Sequence, residues 1–189
     1  MKEKFPGIGC RHRLSRLAVL VCAVTILAGL PAMAADGPPI APSQVYGRIL
    51  NEVEREVIGV AEAMPAGKYN FAPTSGNFKG VRTFAEQAKH MASANYNYFS
   101  ALGLKPNRDV KSIDSLTSKS DILQALKDSF AYGRSSIGTM TAQNAFLSLG
   151  KNGATRAGMA AAAIVHCNDH YGQMVEYLRM NGLAPPATM

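Results

Sequence analysis

Four histidines occur in this 189-residue chain: His12, His90, His166 and His170. Two of them stand four apart, in His166-Cys167-Asn168-Asp169-His170, within a stretch of helical periodicity. Residues four apart share a helix face, about 5–6 Å from each other at Cβ. Two neutral imidazoles so placed can grip one transition metal. His90, from another helix, would complete a three-nitrogen set with a vacant coordination position, the arrangement of catalytic rather than structural zinc sites. The plain alternative is three histidines packed in a core. Burying three imidazoles without partners is costly, which weighs against it.

Familiar metal motifs do not fit. The zinc-protease pattern His-Glu-x-x-His needs a glutamate directly after the first histidine, and Cys167 stands there. Di-iron bundles need Glu-x-x-His on two helices; this chain has Glu86-x-x-x-His90, one residue too long, and no second copy. Cys-x-x-Cys-His, for covalent haem, is absent. Cys167 is turned about 100° from His166 on a helix and reads as a small buried hydrophobe. Asp169 and Glu86 are candidates to accept hydrogen bonds from imidazole N–H groups. Tyr171 and Gln173 flank the pair. Met91 and Met174 lie near the histidines in sequence; thioethers suit Cu(I), but helical spacing makes them packing residues.

Four helices must hold these side chains. Val45, Ile49, Val53, Val57, Val60 and Met64 recur at steps of three and four, with Ser43 as N-cap and Pro65 as the stop. The run from Pro65 to Lys79 is a loop by its Pro, Gly and Asn content. Thr83 to Glu86 fits a capping box. Phe84, Ala88, Met91, Tyr98 and Leu102 then mark a second helix bearing His90 and closed by Gly103. Residues 104–117 connect. Ser118 to Asp121 caps a third helix, expected from about Asp121 to Asn144 with Ile122, Leu126, Phe130, Ile137 and Met140 inward and weakened by Gly133 and Gly138. After a turn at Gly150–Gly153, a fourth helix runs from about Thr155 to Met180, ended by Asn181-Gly182 and Pro185-Pro186. Met159, Ala163, His166, His170, Met174 and Tyr177 form its inward stripe. No strand-like alternation persists and no repeat occurs. The pattern predicts an all-α four-helix bundle over 43–186.

The N-terminus reads as a secretory signal peptide over 1–34. Lys2, Lys4, Arg11, Arg13 and Arg16 precede a 14-residue apolar run, Leu17 to Leu30, and Ala32-Met33-Ala34 supplies the cleavage site. That run is short of the about 20 residues of a spanning helix. Cleavage after Ala34 would leave a Pro/Gly-rich tether over 35–42, and place the protein in the periplasm or outside the cell. The leader holds five of the 20 basic residues and one of the 13 acidic ones, which leaves 15 against 12 and a net charge of +3. No basic block remains to recruit nucleic acid or a membrane surface. Cys10 and Cys22 depart with the leader, so Cys167 has no partner for an intramolecular disulfide.

The segment His166 to Gln173, followed by Tyr177, Leu178-Arg179, Gly182 and Pro185-Pro186, resembles the C-terminal signature of DinB-like proteins. The likeness extends to Ala63-Met64-Pro65, Lys68-Tyr69, Phe71 and Pro73, and to Phe84-Ala85-Glu86-Gln87 with His90. The resemblance implies a four-helix bundle in which three histidines, matching His90, His166 and His170, bind a divalent metal: zinc, nickel or iron. Some relatives are thiol-dependent transferases or isomerases; many have no known activity. Together with the leader, in which this chain departs from the characterised relatives, it implies an exported metal-dependent enzyme of hydrolase or thiol-dependent transferase type, acting on a small molecule, with a thiol among the candidates and a homodimer among the assemblies open to it. A non-catalytic periplasmic metal-binding protein is the alternative. A purely structural bundle is the third reading.

Overall fold

Pro42 opens the first helix at a position where its missing N–H costs nothing, so α1 (Pro42–Ala63) is capped by the backbone of Ala41 without a side-chain bond. The expected cap, Ser43, lies inside the helix. A computed structural model describes residues 37–186, and the expected leader lies outside them. The other long helices are α2 (Phe84–Ser100), α3 (Lys119–Ile137) and α4 (Arg156–Met180). Short 3₁₀ turns occupy Ala66–Lys68, Val110–Ser115 and Lys151–Gly153. The described residues contain no strand, only an isolated bridge between Ser148 and Thr155. None of their helices is long and apolar enough to cross a membrane.

The architecture is an all-α four-helix bundle. α1 and α2 each lie against both α3 and α4. The chain therefore crosses the bundle diagonally between α1 and α2 and again between α3 and α4. The connections 64–83 and 138–155 make those crossings, as in bundles that are not simply up-and-down.

Three local expectations shift. In α1, Val45 and Ile49 are 37% and 39% exposed, whereas Leu50 is fully buried. A step of three back from Val53 keeps Leu50, Val53, Val57, Val60 and Met64 in phase; a step of four does not. α3 ends at Ile137 rather than Asn144. Gly138 lowers propensity there, and Asn144 caps a separate turn, accepting from Thr141 N–H at 2.8 Å and donating to the Thr139 carbonyl at 3.1 Å. Such side-chain bonds compete with helix. The 65–79 loop also carries core: Tyr69 is buried, and Phe71 stacks edge-on against Tyr177, with centroids 5.7 Å apart.

The end of α4 is a Schellman motif. Gly182 has φ 71°, Leu183 N–H donates to Leu178 O at 3.0 Å, and Gly182 N–H donates to Arg179 O at 2.9 Å.

At Gly133, α3 packs directly against the Phe99 ring of α2. A Cβ there would stand 2.6 and 2.8 Å from the ring carbons of Phe99. Phe99 is fully buried, so its ring has nowhere to retreat. Gly133→Ala should therefore destabilise the bundle. The overpacking cost of about 1–3 kcal/mol exceeds the about 1 kcal/mol that alanine gains in a helix. Gly172→Ala, exposed on α4 with nothing near its Cβ position, should gain up to about 1 kcal/mol. Urea titration of both variants against wild type measures the opposite signs.

Candidate metal centre

The first two turns of α2 carry Gln87 and His90, and their position is set by how the helix begins. Its orphan N–H groups are met one by one. Phe84 N–H donates to Phe71 O at 2.9 Å and Ala85 N–H to Tyr69 O at 2.8 Å. Glu86 N–H donates to Thr83 Oγ1 at 3.2 Å, and the Glu86 carboxylate accepts from Thr83 N–H at 2.7 Å, completing the capping box. Tyr69 in turn donates its hydroxyl to Ala61 O at 2.7 Å, tying the loop to the end of α1. On α4, Thr155 caps the start, and Tyr177 OH donates to Arg82 O at 2.9 Å.

These anchors bring the three histidines together. His90 Nε2 and His166 Nε2 are 3.0 Å apart, and His170 Nε2 and His166 Nε2 are 3.2 Å apart. The ligand atoms of all three lie within 4.8 Å of one another. Two nitrogens each about 2.0–2.1 Å from a shared ion, at angles between square and tetrahedral, stand about 2.8–3.4 Å apart. The set therefore fits a divalent metal. Tyr98 flanks it, its ring 5.5 Å from that of His166. His166 Nδ1 is buried without a hydrogen-bond partner among the described residues.

The tautomer of His170 follows from a chain of hydrogen bonds. The Asp169 carboxylate accepts from Gln173 Nε2 at 3.0 Å. Gln173 Oε1 must then accept from Gln87 Nε2, at 2.8 Å. Gln87 Oε1 must accept from His170 Nδ1, at 2.6 Å. The proton of His170 is thus on Nδ1, and the Nε2 lone pair faces the other two rings. Burial lowers the pKa of all three histidines; Arg82 lowers each further. His170 falls to about 4, driven first by desolvation and then by His166 and His90. All three rings are neutral near pH 7, the form that ligates metal.

Some expected partners act differently. Glu86 belongs to the capping box and holds no imidazole. Asp169 reaches His170 through two glutamines rather than directly. Gln87 was not foreseen, although a polar residue three before His90 on an inward face was a readable signal. Cys167 is buried, donates to Asn95 Oδ1 at 3.2 Å, and has its thiol pKa pushed up to about 12 by burial. It is not part of the cluster. Met91 and Met174 are fully buried packing residues.

Severing the chain at Gln87 should loosen His170. Gln87→Leu is expected to weaken zinc affinity about 10–100-fold, as loss of a ligand's supporting hydrogen bond does. Competition with a chromophoric chelator reads it. In the metal-free protein, stability should fall as pH drops from 6.5 towards 4. There the unfolded chain takes up protons at His170 that the folded chain resists, so stability rises with pH across this window. Thermal melts across it should slope less for His170→Ala.

The comparisons agree with the helical-bundle fold. The family model described as DinB superfamily matches residues 49–174, a span from the first helix to the fourth that includes all three histidines. A conserved protein of Enterococcus faecalis, known from its crystal structure, is similar in fold with a TM-score of 0.60. Identity to it is 16%, and the match covers 75% of this chain and 98% of that one. No curated protein matches this chain at a significant level. With the family model covering well over half of its length, the chain belongs to the DinB superfamily.

Proposed function

We propose that this protein is an exported, metal-dependent enzyme that holds zinc, nickel or iron on His90, His166 and His170 and acts on a small molecule. The observation that carries the reading is the convergence of three Nε2 atoms, one of them with its lone pair committed by the chain from Asp169. Three protein ligands leave room for water or a substrate atom. When bound, the metal would lower the pKa of that fourth ligand and supply a nucleophile near neutral pH. The chain's own groups do the rest. Gln87 orients His170. Tyr98 covers one side of His166. His90 lines a cleft of about 620 Å³, which would give a small molecule its approach to the site. Outside the cytosol, where reducing thiols are scarce, hydrolysis suits the site better than thiol transfer. Export itself rests on the basic, apolar and Ala-x-Ala sequence of residues 1–34.

The test has three arms. Purified native protein should carry about one equivalent of divalent metal, and His170→Ala should lose it while keeping its helical circular dichroism, because the core packs without the site. The metal should raise the melting temperature of wild type only. Native protein should begin at Ala35 and fractionate outside the cytoplasm. Unfolding of wild type on chelation would make the metal structural and sink the enzyme reading. A tight metal with no small molecule able to reach it would leave a metal-binding protein.

A further inference from the structure

The cleft beside His90 is lined by four charged side chains, Arg82, Glu86, Lys89 and Asp114, with Gly80, Val81 and Ser93. Two of the four are committed to the fold. Glu86 is held in the capping box by Thr83. Lys89 Nζ donates to the carbonyls of Asp114 and Leu116, at 2.9 and 3.2 Å, and so pins the 3₁₀ turn to α2. Arg82 and Asp114 remain. Among the described residues neither forms an ion pair, with the other or with anything else. One cleft thus presents a separated positive and negative charge, both beside a metal ligand.

Their placement is not casual. The Arg82 backbone is fixed by Tyr177 OH, which carries the residue against α4. Both Arg82 and Asp114 line the cleft together with His90. Ser93, three residues after His90, also lines the cleft; its hydroxyl is buried and has no partner among the described residues.

We propose that this cleft selects a small zwitterion, an amino-acid-like molecule whose carboxylate is held by Arg82 and whose ammonium is held by Asp114. The proposal rests on the metal reading above and names the substrate class for that site. A monoanion would leave Asp114 unpaired and facing it; a simple amine would leave Arg82 so. Each mismatch sacrifices one charge-assisted bond, and the two together give the cleft its selectivity. Arg82 and Asp114 are specificity-determining residues here, with no part in holding the metal.

Calorimetric titration of the zinc-loaded protein tests this with four probes: γ-aminobutyrate, 6-aminohexanoate, butyrate and butylamine. At least one zwitterion should bind about tenfold tighter than butyrate or butylamine, the value of roughly one extra ion-paired hydrogen bond. Arg82→Gln should bring the zwitterion down to the level of butylamine, and Asp114→Asn to that of butyrate. Both residues are exposed, so zinc content and helicity should not change in either variant. Equal binding of all probes, or no binding of any, with zinc present overturns the proposal and leaves the metal reading intact. If wild type takes no zinc, the metal reading fails instead. The same titration on metal-free protein then decides the charge selectivity by itself, since neither residue is a ligand.

Discussion

A carboxylate that can only accept hydrogen bonds governs the centre of this molecule. Asp169 is exposed on α4, and its carboxylate accepts from Gln173, which fixes the direction of every bond inward from it. Two glutamines, one on each of two helices, transmit the direction to a nearly buried imidazole. Amides suit the task because each carries a donor and an acceptor. A glutamate at position 87 would put a negative charge in the core and lose the bond to Gln173 Oε1. The outcome is a lone pair delivered to a chosen place. It also couples α2 to α4 at the depth of the histidines, where a slide of either helix would break two bonds at once.

That coupling needs both helices to start in the right place. The 65–83 connection does this for α2 by supplying backbone carbonyls, from Phe71 and Tyr69, to the first two free N–H groups. It is why an apparently irregular loop contributes a buried tyrosine and an aromatic contact to α4. The loop's two aromatics are ballast for a helix terminus, and that terminus carries Gln87 and His90. The same segment holds Arg82 at the mouth of the site, through the hydroxyl of Tyr177.

The helices and the histidines were legible in the sequence because both are written in short-range period. His166 and His170 share an inward stripe by spacing, and Thr83 and Ser118 announce two of the four helix starts. What did not show was anything decided across the bundle. Gly133 reads as a helix weakener until Phe99 is seen against it. Glu86 reads equally as a cap and as a histidine partner, and only the structure assigns its carboxylate. Asp169 acts at a distance through Gln173 and Gln87, residues separated by 86 positions, so no local pattern could reveal the chain. The end of α3 depended on Asn144 bonding to its own turn, a competition between two local choices that periodicity cannot judge.

On the proposed reading, the core around the site would let a metal serve chemistry more than folding. The buried cluster runs from Leu50 in α1 through Phe99 and Phe130 to Leu178 in α4 without needing the histidines. Several of its polar members are paired internally: Cys167 bonds to Asn95, Asn95 to Ser129, and Ser129 to the Leu126 carbonyl, whereas the buried Ser136 hydroxyl has no partner among the described residues. Those apolar faces suffice to hold four helices together. The three imidazoles are then a local conflict inside a stable frame. Their Nε2 atoms crowd within about hydrogen-bonding distance of each other, and the relay forbids a proton on the Nε2 of His170. Burial disfavours protonating any of them. A divalent cation relieves all of these tensions together, and a frame that is stable without it can afford to leave one coordination position for another molecule.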